Sequence, residues 1–281
     1  MLGAQYKTKS KEVPMYPELQ GQVAVVTGAA SGLGYGIAKR YLDEGMNVVI
    51  NYHSDKRREH AEELAARYNE KADAGKLRAV AAQADVTQED EIDKLRHAAL
   101  EVFGRLDVWV NNAGLEARHP SHKLPKEAWD KTIAVNLTGV FLGSRAALAH
   151  FVEHDVRGRI INLSSVHEVI PWPTFSDYAT TKSGIMMYTK SIALEYARLG
   201  IRVNCIAPGA IETPINAEKF DDPELRGRTE NMIPMHRIGK VTDVANAAAW
   251  LVSGQSRYVT GHSLFVDGGM SLYPSFERGD G

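Results

Sequence analysis

Short apolar runs rich in β-branched residues alternate along the chain with longer segments whose apolar residues recur at helical spacing, as in "EIDKLRHAALEVFG". The apolar runs have the length and composition of strands, and they occupy 23–28, 47–51, 77–85, 106–114, 158–165, 201–209 and 262–269. Alternating strands and helices predict a parallel sheet with helices on both faces, joined by right-handed connections. The runs are nearly continuous in apolar residues, as expected when both faces are covered. We therefore predict an α/β fold with a doubly wound sheet of about seven parallel strands.

The pattern shows no internal repeat and no low-complexity linker, so residues 17–281 are predicted to form one domain. The interval 210–240, between the sixth and seventh strand runs, is partly helical in pattern and is interrupted by prolines. Its size and position predict a lid or substrate loop, with a disordered surface excursion as the alternative. The C-terminal tail, 270–281, contains Tyr273 and Phe276 and is expected to pack near a ligand site or a neighbouring subunit.

Composition excludes several classes of protein. Of 281 residues, 44% are apolar and 24% charged, and the formal net charge of −2 gives no electrostatic reason to expect nucleic acid or an anionic membrane as a partner. No apolar run approaches the roughly 18 residues that a membrane span needs. Residues 1–16 are polar and lack the apolar core of a secretory signal, which predicts a flexible N-terminal extension and a cytoplasmic protein. A disulfide within the chain is impossible because Cys205 is the single cysteine.

A glycine-rich turn, "TGAASGLG", follows the first strand run and opens a helical segment. Gly28, Gly32 and Gly34 remove side chains where the backbone must turn tightly and approach a ligand. The helix that starts near Leu33 offers unpaired N–H groups to a pyrophosphate. The spacing is TGxxxGxG rather than GxGxxG, but its position on the first strand of an alternating pattern indicates a dinucleotide site.

The end of the second strand run indicates which dinucleotide is preferred. An acidic residue there would bind the ribose 2′-hydroxyl of NAD and repel the phosphate of NADP. Tyr52 follows Asn51 at this place, and no carboxylate occurs before Asp55. Ser54 can donate to a phosphate, and the neighbouring Lys56 or Arg57 can neutralise it. We therefore predict a preference for NADP, with NAD also accepted.

Further motifs follow in order on the later strand runs. The complete series is TGxxxGxG, DV, NNAG, an asparagine, a serine thirteen residues before a tyrosine, YxxxK and PGAIET, at 27–34, 85–86, 111–114, 136, 165, 178–182 and 208–213. In this order the motifs resemble the short-chain dehydrogenase/reductase family over about residues 17–270. The resemblance implies a single-domain Rossmann-like fold and an NAD(P)-dependent oxidoreductase.

The resemblance also assigns catalytic roles. Tyr178 would act as the general base, and Lys182, one helical turn later, would favour its phenolate and hold the nicotinamide ribose. A free tyrosine has a pKa near ~10, so the ammonium and a positive nicotinamide ring would have to lower it. Ser165 would hydrogen-bond the reacting oxygen, and Asn136 would belong to a water-mediated proton relay. Taken one by one, each residue could instead be a packing or capping residue.

The same resemblance places the cofactor contacts. The Asp85 carboxylate would meet the adenine amino group, and residues 112–114 would line the adenosine side. The complete set of expected contacts is Gly28, Ser31, Gly32, Leu33, Gly34, Tyr52, Ser54, Asp85, Val86, Asn112, Ala113, Gly114, Tyr178, Lys182, Pro208, Gly209, Ile211 and Thr213.

Within the family, "NAGLE", "SSVHEVIPWPTFSDYA", "PGAIETPINAEKF" and "LFVDGGMSLYPSFE" resemble its bacterial glucose dehydrogenases, which are homotetramers. That likeness implies oxidation of β-D-glucose at C1 to the 1,5-lactone, with Ser165 and Tyr178 at the reacting oxygen and Glu116 and His167 as sugar contacts. Glu116 could instead be a surface carboxylate and His167 a packing residue. A histidine pair at 119 and 122 lacks a third ligand nearby, so no metal is expected.

Two alternatives remain open. The same catalytic set would serve another aldose, a sugar alcohol or a ketone, because it recognises only the reacting carbinol group. A nucleotide-sensing protein without turnover would keep the fold, although such a protein has no need of the complete catalytic set.

Overall fold

The computed structural model describes residues 14–214, 216 and 220–272. Residues 1–13 of the expected flexible extension over 1–16, and the expected tail packing through Tyr273 and Phe276, lie outside the described residues. The end of the expected extension is packed rather than flexible, because Tyr16 is buried and its N–H donates to Glu44 Oε2 at 2.8 Å.

A seven-stranded parallel sheet forms the centre, in the order β3-β2-β1-β4-β5-β6-β9, which confirms the predicted fold class. Its strands are β1 (Val23–Val26), β2 (Asn47–Tyr52), β3 (Ala79–Gln83), β4 (Val108–Asn111), β5 (Arg159–Leu163), β6 (Arg202–Pro208) and β9 (Ser263–Val266). A second ladder pairs the short β7 (Ile211–Glu212) with β8 (Gly239–Lys240). Most strands are shorter than the apolar runs that predicted them, because the last residues of each run leave the ladder as loops.

The sheet is buried on both faces, and alternate residues of a strand enter different cores. In β1, Ala24 and Val26 belong to one apolar cluster and Val23 and Val25 to the other. The first cluster is covered by α1 (Gly32–Asp43), α2 (Arg58–Asn69) and α8 (Val241–Val252). The second is covered by α3 (Glu89–Phe103), α5 (Gly139–Glu153) and α6 (Ser176–Tyr196). Two shorter helices, α4 (Lys126–Ile133) and α7 (Pro223–Glu230), complete the described helices that frame the site.

One helical stretch, residues 126–153, is long and apolar enough to cross a membrane by length and composition alone. The sequence expectation concerned continuous apolar runs, and charged residues such as Asp130, Lys131 and Arg145 interrupt this stretch. Half of its most apolar window is buried inside the fold, and α5 packs on β4 with Gly143 directly over Trp109 and Asn111. The stretch is therefore placed as a core helix of the layered fold.

The described part of the interval 210–240 confirms that it is helical in part. Pro223 occupies the first turn of α7, and the Asp222 carboxylate caps that helix by accepting from the backbone N–H groups of Glu224 and Leu225. Met235 N donates to the carbonyl of Gly268, which ties the end of the interval to the residues after β9. The interval therefore covers the edge of the sheet where β6 and β9 end.

Candidate active site

The sequence-predicted catalytic residues meet at the carboxyl edge of the sheet, where parallel strands place ligands. Ser165 follows β5, and Tyr178 and Lys182 lie in the first turns of α6. Ser165 is buried with extended backbone, and its hydroxyl accepts a hydrogen bond from His167 N at 3.2 Å. The Tyr178 phenol is hydrogen-bonded to the Ser165 side chain. The serine and the tyrosine are thus held together, while their acid–base role stays a prediction.

Lys182 is buried directly behind the tyrosine. Its Nζ donates to the carbonyl oxygen of Leu163 at 2.8 Å and lies 5.3 Å from the Tyr178 ring centroid. Burial lowers the pKa of Lys182 to about 8, while the nearby Cys205, Glu116 and Glu168 oppose that shift. With a pKa of about 8 the ammonium stays mostly protonated near pH 7 although burial opposes its charge, and it lies in a position to act on the phenol.

The direction of the Tyr178 pKa differs from the sequence expectation. In the chain by itself, desolvation raises the pKa of the phenol, the hydrogen bond from Ser165 lowers it, and the Glu116 carboxylate raises it further. The expected lowering fails here because desolvation is the largest influence on this buried phenol. Formation of the phenolate therefore depends on additional positive charge in the site, such as that of an oxidised nicotinamide ring.

Asn136 is buried at the centre of a π-helical turn, Ala134–Thr138, between α4 and α5. Its amide makes a reciprocal pair of bonds with the backbone of Leu115, donating to the carbonyl and accepting from the N–H, each at 2.8 Å. Its Nδ2 also lies 3.3 Å from the Thr181 hydroxyl. Asn136 thereby fixes the loop after β4 beside α6, while its part in a proton relay stays a prediction. The π-helical turn, a feature often found at functional sites, had no signal in the sequence.

The glycine-rich turn is shaped for close approach of a ligand. Gly28 has φ +63° and donates its N–H to Asn51 Oδ1 at 3.0 Å. A Cβ at Gly34 would lie 2.5 Å from the Gly28 carbonyl oxygen and closer still to Asn112 Nδ2. Ser31 precedes α1 without capping it through its side chain within the described residues, so first-turn N–H groups stay available to an anion. The turn fits a dinucleotide pyrophosphate.

The PGAIET segment, residues 208–213, lies against the other side of the glycine-rich turn. A Cβ at Gly32, whose φ is +56°, would lie 3.9 Å from Thr213 Cβ. Thr213 is held by Asn216 Oδ1, which accepts from its N–H at 2.8 Å and from its hydroxyl at 3.0 Å. Gly209 leaves no room for a side chain against Asp267, and Ile211 is buried. This segment begins with Pro208 at the end of β6 and borders the glycine-rich turn, while its contacts with the nicotinamide and pyrophosphate stay a prediction.

At the end of β2 the structure changes the expected roles. The Asn51 amide has a structural role, because its Nδ2 donates to the main-chain carbonyls of Tyr52, Ala82 and Ala84. Tyr52 is buried, and the guanidinium that lies over its ring, 6.0 Å from the centroid, belongs to Arg58. The start of α2 turns Arg58 toward Tyr52, so this arginine, which sequence reasoning did not name, lies at the strand end beside the predicted Lys56 and Arg57.

The remaining predicted adenosine contacts lie along the ends of β3 and β4. Asp85 Oδ1 accepts from the N–H of Thr87 at 2.9 Å and from its hydroxyl at 2.8 Å, so part of this carboxylate shapes a turn. Val86 packs against Gly139, with a Cβ there 3.0 Å from Val86 Cγ2. Ala113 N donates to the Thr27 hydroxyl at 3.1 Å. The predicted contacts after β3 and β4 are Asp85, Val86, Asn112, Ala113 and Gly114; these and Ser54, which follows β2, all lie within the described chain.

Both predicted substrate residues reach the catalytic group. The Glu116 charge raises the pKa values of both Tyr178 and Lys182, which places it within electrostatic range of them. The His167 ring lies edge-on to the Tyr178 ring, with 6.3 Å between centroids. Its Nδ1 is 3.0 Å from the Ile170 carbonyl, and burial lowers its pKa, so the ring is neutral near pH 7.

An aromatic stack beside Tyr178 was missed from the sequence. His167 stacks on Trp172 at 4.2 Å between centroids, and Trp172 stacks on Phe175 at 3.9 Å. The turn that presents them contains Thr174 with φ +71°, an uncommon backbone conformation for a β-branched residue. Its carbonyl accepts from His119 N at 2.8 Å, which holds the strained turn against the loop after β4. We call His167, Trp172 and Phe175 the aromatic shelf.

His119, one of the two histidines considered for a metal, therefore contacts this turn through its backbone N–H. Within the described residues, no group of three or more His, Cys, Asp or Glu side chains could hold a metal ion.

Comparison with known proteins supports the same reading. The profile of the family described as Enoyl-(Acyl carrier protein) reductase matches residues 28–271. The chain is 55% identical over 267 residues, 95% of this chain and 100% of the relative, to "3beta-hydroxysteroid dehydrogenase 1" of Eggerthella lenta. It is 48% identical to "Glucose 1-dehydrogenase 2" of Bacillus subtilis, over 93% of this chain and 99% of that protein.

Solved structures agree with these relatives. The 3-ketoacyl-(acyl-carrier-protein) reductase from Brucella melitensis, complexed with NADH, aligns with a TM-score of 0.80 at 36% identity, covering 90% of this chain and 100% of that one. The matched profile, the relatives and the assembled Ser165, Tyr178 and Lys182 lead to one conclusion. The chain belongs to the short-chain dehydrogenase/reductase family of NAD(P)-dependent oxidoreductases.

Proposed function

We propose that this enzyme oxidises a secondary alcohol or lactol carried on a ring, with C1 of β-D-glucose as the first candidate and the 1,5-lactone as the product. The observation that carries the proposal is the arrangement of Ser165, Tyr178 and Lys182 at the sheet edge that also holds the glycine-rich turn. Support for glucose comes from the relative named glucose 1-dehydrogenase and from Glu116 and His167 beside the reacting tyrosine.

In the proposed mechanism, Tyr178 removes the hydroxyl proton of the substrate as general base. Bound NAD(P)+ supplies the hydride acceptor at C4 of the nicotinamide and a positive charge beside the phenol. Ser165 donates to the substrate oxygen while its negative charge develops. Lys182, positioned by Leu163, holds the ribose and favours the phenolate, and Asn136 keeps the loop that carries Glu116 in place.

A second candidate substrate is a 3β-hydroxysteroid. The specific observation is the aromatic shelf, three stacked rings with Trp172 at its centre and 5.9 Å from Tyr178. A flat apolar surface of this kind suits fused hydrocarbon rings, and the relative with 55% identity is named for that activity. A glucose ring would use the shelf through its apolar C–H face and would need Glu116 for its hydroxyl groups.

NADP is proposed as the preferred nucleotide, with NAD also accepted. In the described chain, Asp55 is the first carboxylate after β2, and it is bound by Arg58 at 2.8 Å, so it is drawn away from a ribose hydroxyl. Arg58 over Tyr52, together with Ser54, offers positive charge and a donor to a 2′-phosphate.

We also propose a cytoplasmic homotetramer in which the interval 210–240 acts as the substrate lid. Support for subunit association is the exposed apolar surface on α5 and α6, where Phe141, Met187 and Leu194 are 40%, 57% and 84% exposed. Sedimentation velocity at several protein concentrations tests the assembly, and a monomer at every concentration would refute it.

The substrate experiment is an initial-rate assay that follows reduced nicotinamide with NADP and then NAD. The panel contains glucose, galactose, xylose, mannose, a sugar alcohol, a simple secondary alcohol and a 3β-hydroxysteroid. We expect glucose to be preferred and Glu116→Gln to raise its KM about tenfold without changing the KM for cofactor, as expected when one hydrogen bond to a charged group is weakened.

Each other outcome has a defined meaning. A preference for the steroid, with Trp172→Ala raising its KM and Glu116→Gln leaving it unchanged, would establish the second candidate. Turnover of no member of the panel, with cofactor bound, would contradict the proposed substrates and favour a nucleotide sensor.

A further inference from the structure

A second cavity lies at the amino edge of the sheet, on the side opposite Tyr178. It has a volume of about 450 Å³ and is lined by residues that precede or begin β1, β4 and β5 and by the end of α5. Five residues of β5 separate the two edges, a distance of about 16 Å. The charged and imidazole side chains that line it are Arg105, Asp107, His150, His154, Arg157 and Arg159.

Positive charge exceeds negative charge in this cavity. Asp107 is its one lining carboxylate, and Arg105 binds it with both prongs, Nε to Oδ2 at 2.8 Å and Nη2 to Oδ1 at 2.7 Å. The same carboxylate accepts from Val23 N at 2.8 Å, so its charge is already used within the fold. Arg159 Nη1 donates to the neutral side chain of Gln22 at 3.0 Å.

The Arg157 guanidinium is not paired with another described group. It makes no hydrogen bond or ion pair with any other described residue, and it is exposed. Its aliphatic stem is nevertheless fixed, because it lies against Gly200, where a Cβ would come 3.1 Å from Arg157 Cγ. A positioned and unpaired guanidinium is an anion-binding group, since its planar donors match the oxygens of phosphate.

His150 provides the independent observation. It is only 5% exposed, it lines the cavity, and its Nδ1 is buried without a hydrogen-bond partner among the described residues. The ring is held by stacking on His154, with centroids 4.4 Å apart. A buried ring nitrogen left unpaired costs stability, and an oxygen of a bound ligand would satisfy it.

We propose that this cavity is a binding site for a phosphate dianion, either inorganic phosphate or a phosphate monoester. Arg157 and Arg159 bind its oxygens, and the His150 ring, whose orphaned Nδ1 is reached only when the ring turns toward the cavity, donates to a third. Arg105 already binds the Asp107 carboxylate, so Arg157 and Arg159 are left to bind the phosphate. The site uses no residue of the carboxyl edge and does not depend on which substrate the enzyme oxidises.

The experiment is isothermal titration calorimetry of the full chain with sodium phosphate, at ionic strength matched by sodium chloride, with and without saturating NADP. We expect phosphate binding to persist with NADP and to weaken about tenfold in Arg157→Gln, which removes one charge-assisted pair. Arg67→Gln, on the exposed side of α2, is the matched control and should bind like the wild type. His150→Asn should also weaken binding, and Arg157→Gln, having no internal partner, should fold normally.

A parallel titration with glycerol 3-phosphate separates the two sources of the ligand. Tighter binding of the ester would identify a monoester site, and equal or weaker binding an inorganic phosphate site. Heat that disappears on addition of NADP and is unchanged in Arg157→Gln would place the phosphate at the glycine-rich turn and overturn the proposal. Binding no stronger than that of matched chloride would overturn it as well.

Discussion

The carboxyl and amino edges of the same sheet use buried polar groups in opposite ways. At the carboxyl edge, Lys182 and Tyr178 have pKa values displaced by desolvation, and their hydrogen bonds hold them ready for a substrate. At the amino edge, Asp107 is neutralised by Arg105 and ties the first residue of β1 to the start of β4. The carboxyl edge therefore keeps ionisable groups with shifted pKa values, which costs stability, whereas the paired groups of the amino edge stabilise the sheet.

The largest expected effect on stability concerns the buried lysine. Burial lowers the pKa of Lys182 from 10.5 to about 8, so between these values the unfolded chain binds a proton that the folded chain does not. The free energy of unfolding should therefore rise with pH across this window, by about 3 kcal/mol in total, relative to Lys182→Met. Urea denaturation of both cofactor-free proteins from pH 7 upward measures the difference. A difference that is constant with pH would contradict the claim that the charge is held at a cost.

The glycine-rich turn offers the next test of the carboxyl edge. In Gly34→Ala the new methyl group would lie 2.5 Å from the Gly28 carbonyl oxygen, so the turn must shift. We expect NADP affinity to fall about 100-fold, equivalent to about 2.7 kcal/mol. Gly227→Ala in α7, where nothing lies within 4 Å of the new methyl, is the control and should keep full affinity. Equal affinities for the two variants would remove the turn from the nucleotide site.

The amino edge should show a change in stability without a change in catalysis. Asp107→Ala leaves the buried Val23 N–H without its acceptor and Arg105 without its partner, which should cost about 2 kcal/mol. Asp73→Ala, which breaks an exposed ion pair with Lys76, should cost less than about 0.5 kcal/mol. Denaturation with urea gives both values, and kcat and KM should match the wild type in each. Loss of turnover in the folded Asp107→Ala protein would contradict the claim that the amino edge affects stability and not catalysis.

Much of the fold followed from the sequence because each strand run is apolar and each helix is amphipathic. The strand ends were less predictable, since small and polar residues such as those at 112–114 and 164–165 occur both in strands and in the loops that follow them. The motif residues were found because their glycines, serine, tyrosine and lysine stand at the spacings and in the order typical of the family. The amino-edge cavity has no such signal, because His150 and Arg157 lie far along the chain from Arg105.

Three features of the site depended on packing that no local pattern records. The aromatic shelf requires Thr174 in a left-handed conformation that a β-branched residue rarely adopts. The guanidinium over Tyr52 comes from Arg58 because the first turn of α2 points it there. The pKa of Tyr178 rises rather than falls because the depth of burial is a property of the folded site.

The central claim is that Tyr178 is the general base of a dehydrogenase, and one comparison tests it most directly. Steady-state turnover and NADP binding should be measured for Tyr178→Phe and for Tyr188→Phe, which alters a second tyrosine of the same helix. The account predicts that Tyr178→Phe retains NADP binding and loses about 1,000-fold in kcat, within the range for removal of a general base, while Tyr188→Phe turns over normally. Full activity in Tyr178→Phe, or an equal loss in both variants, would contradict it.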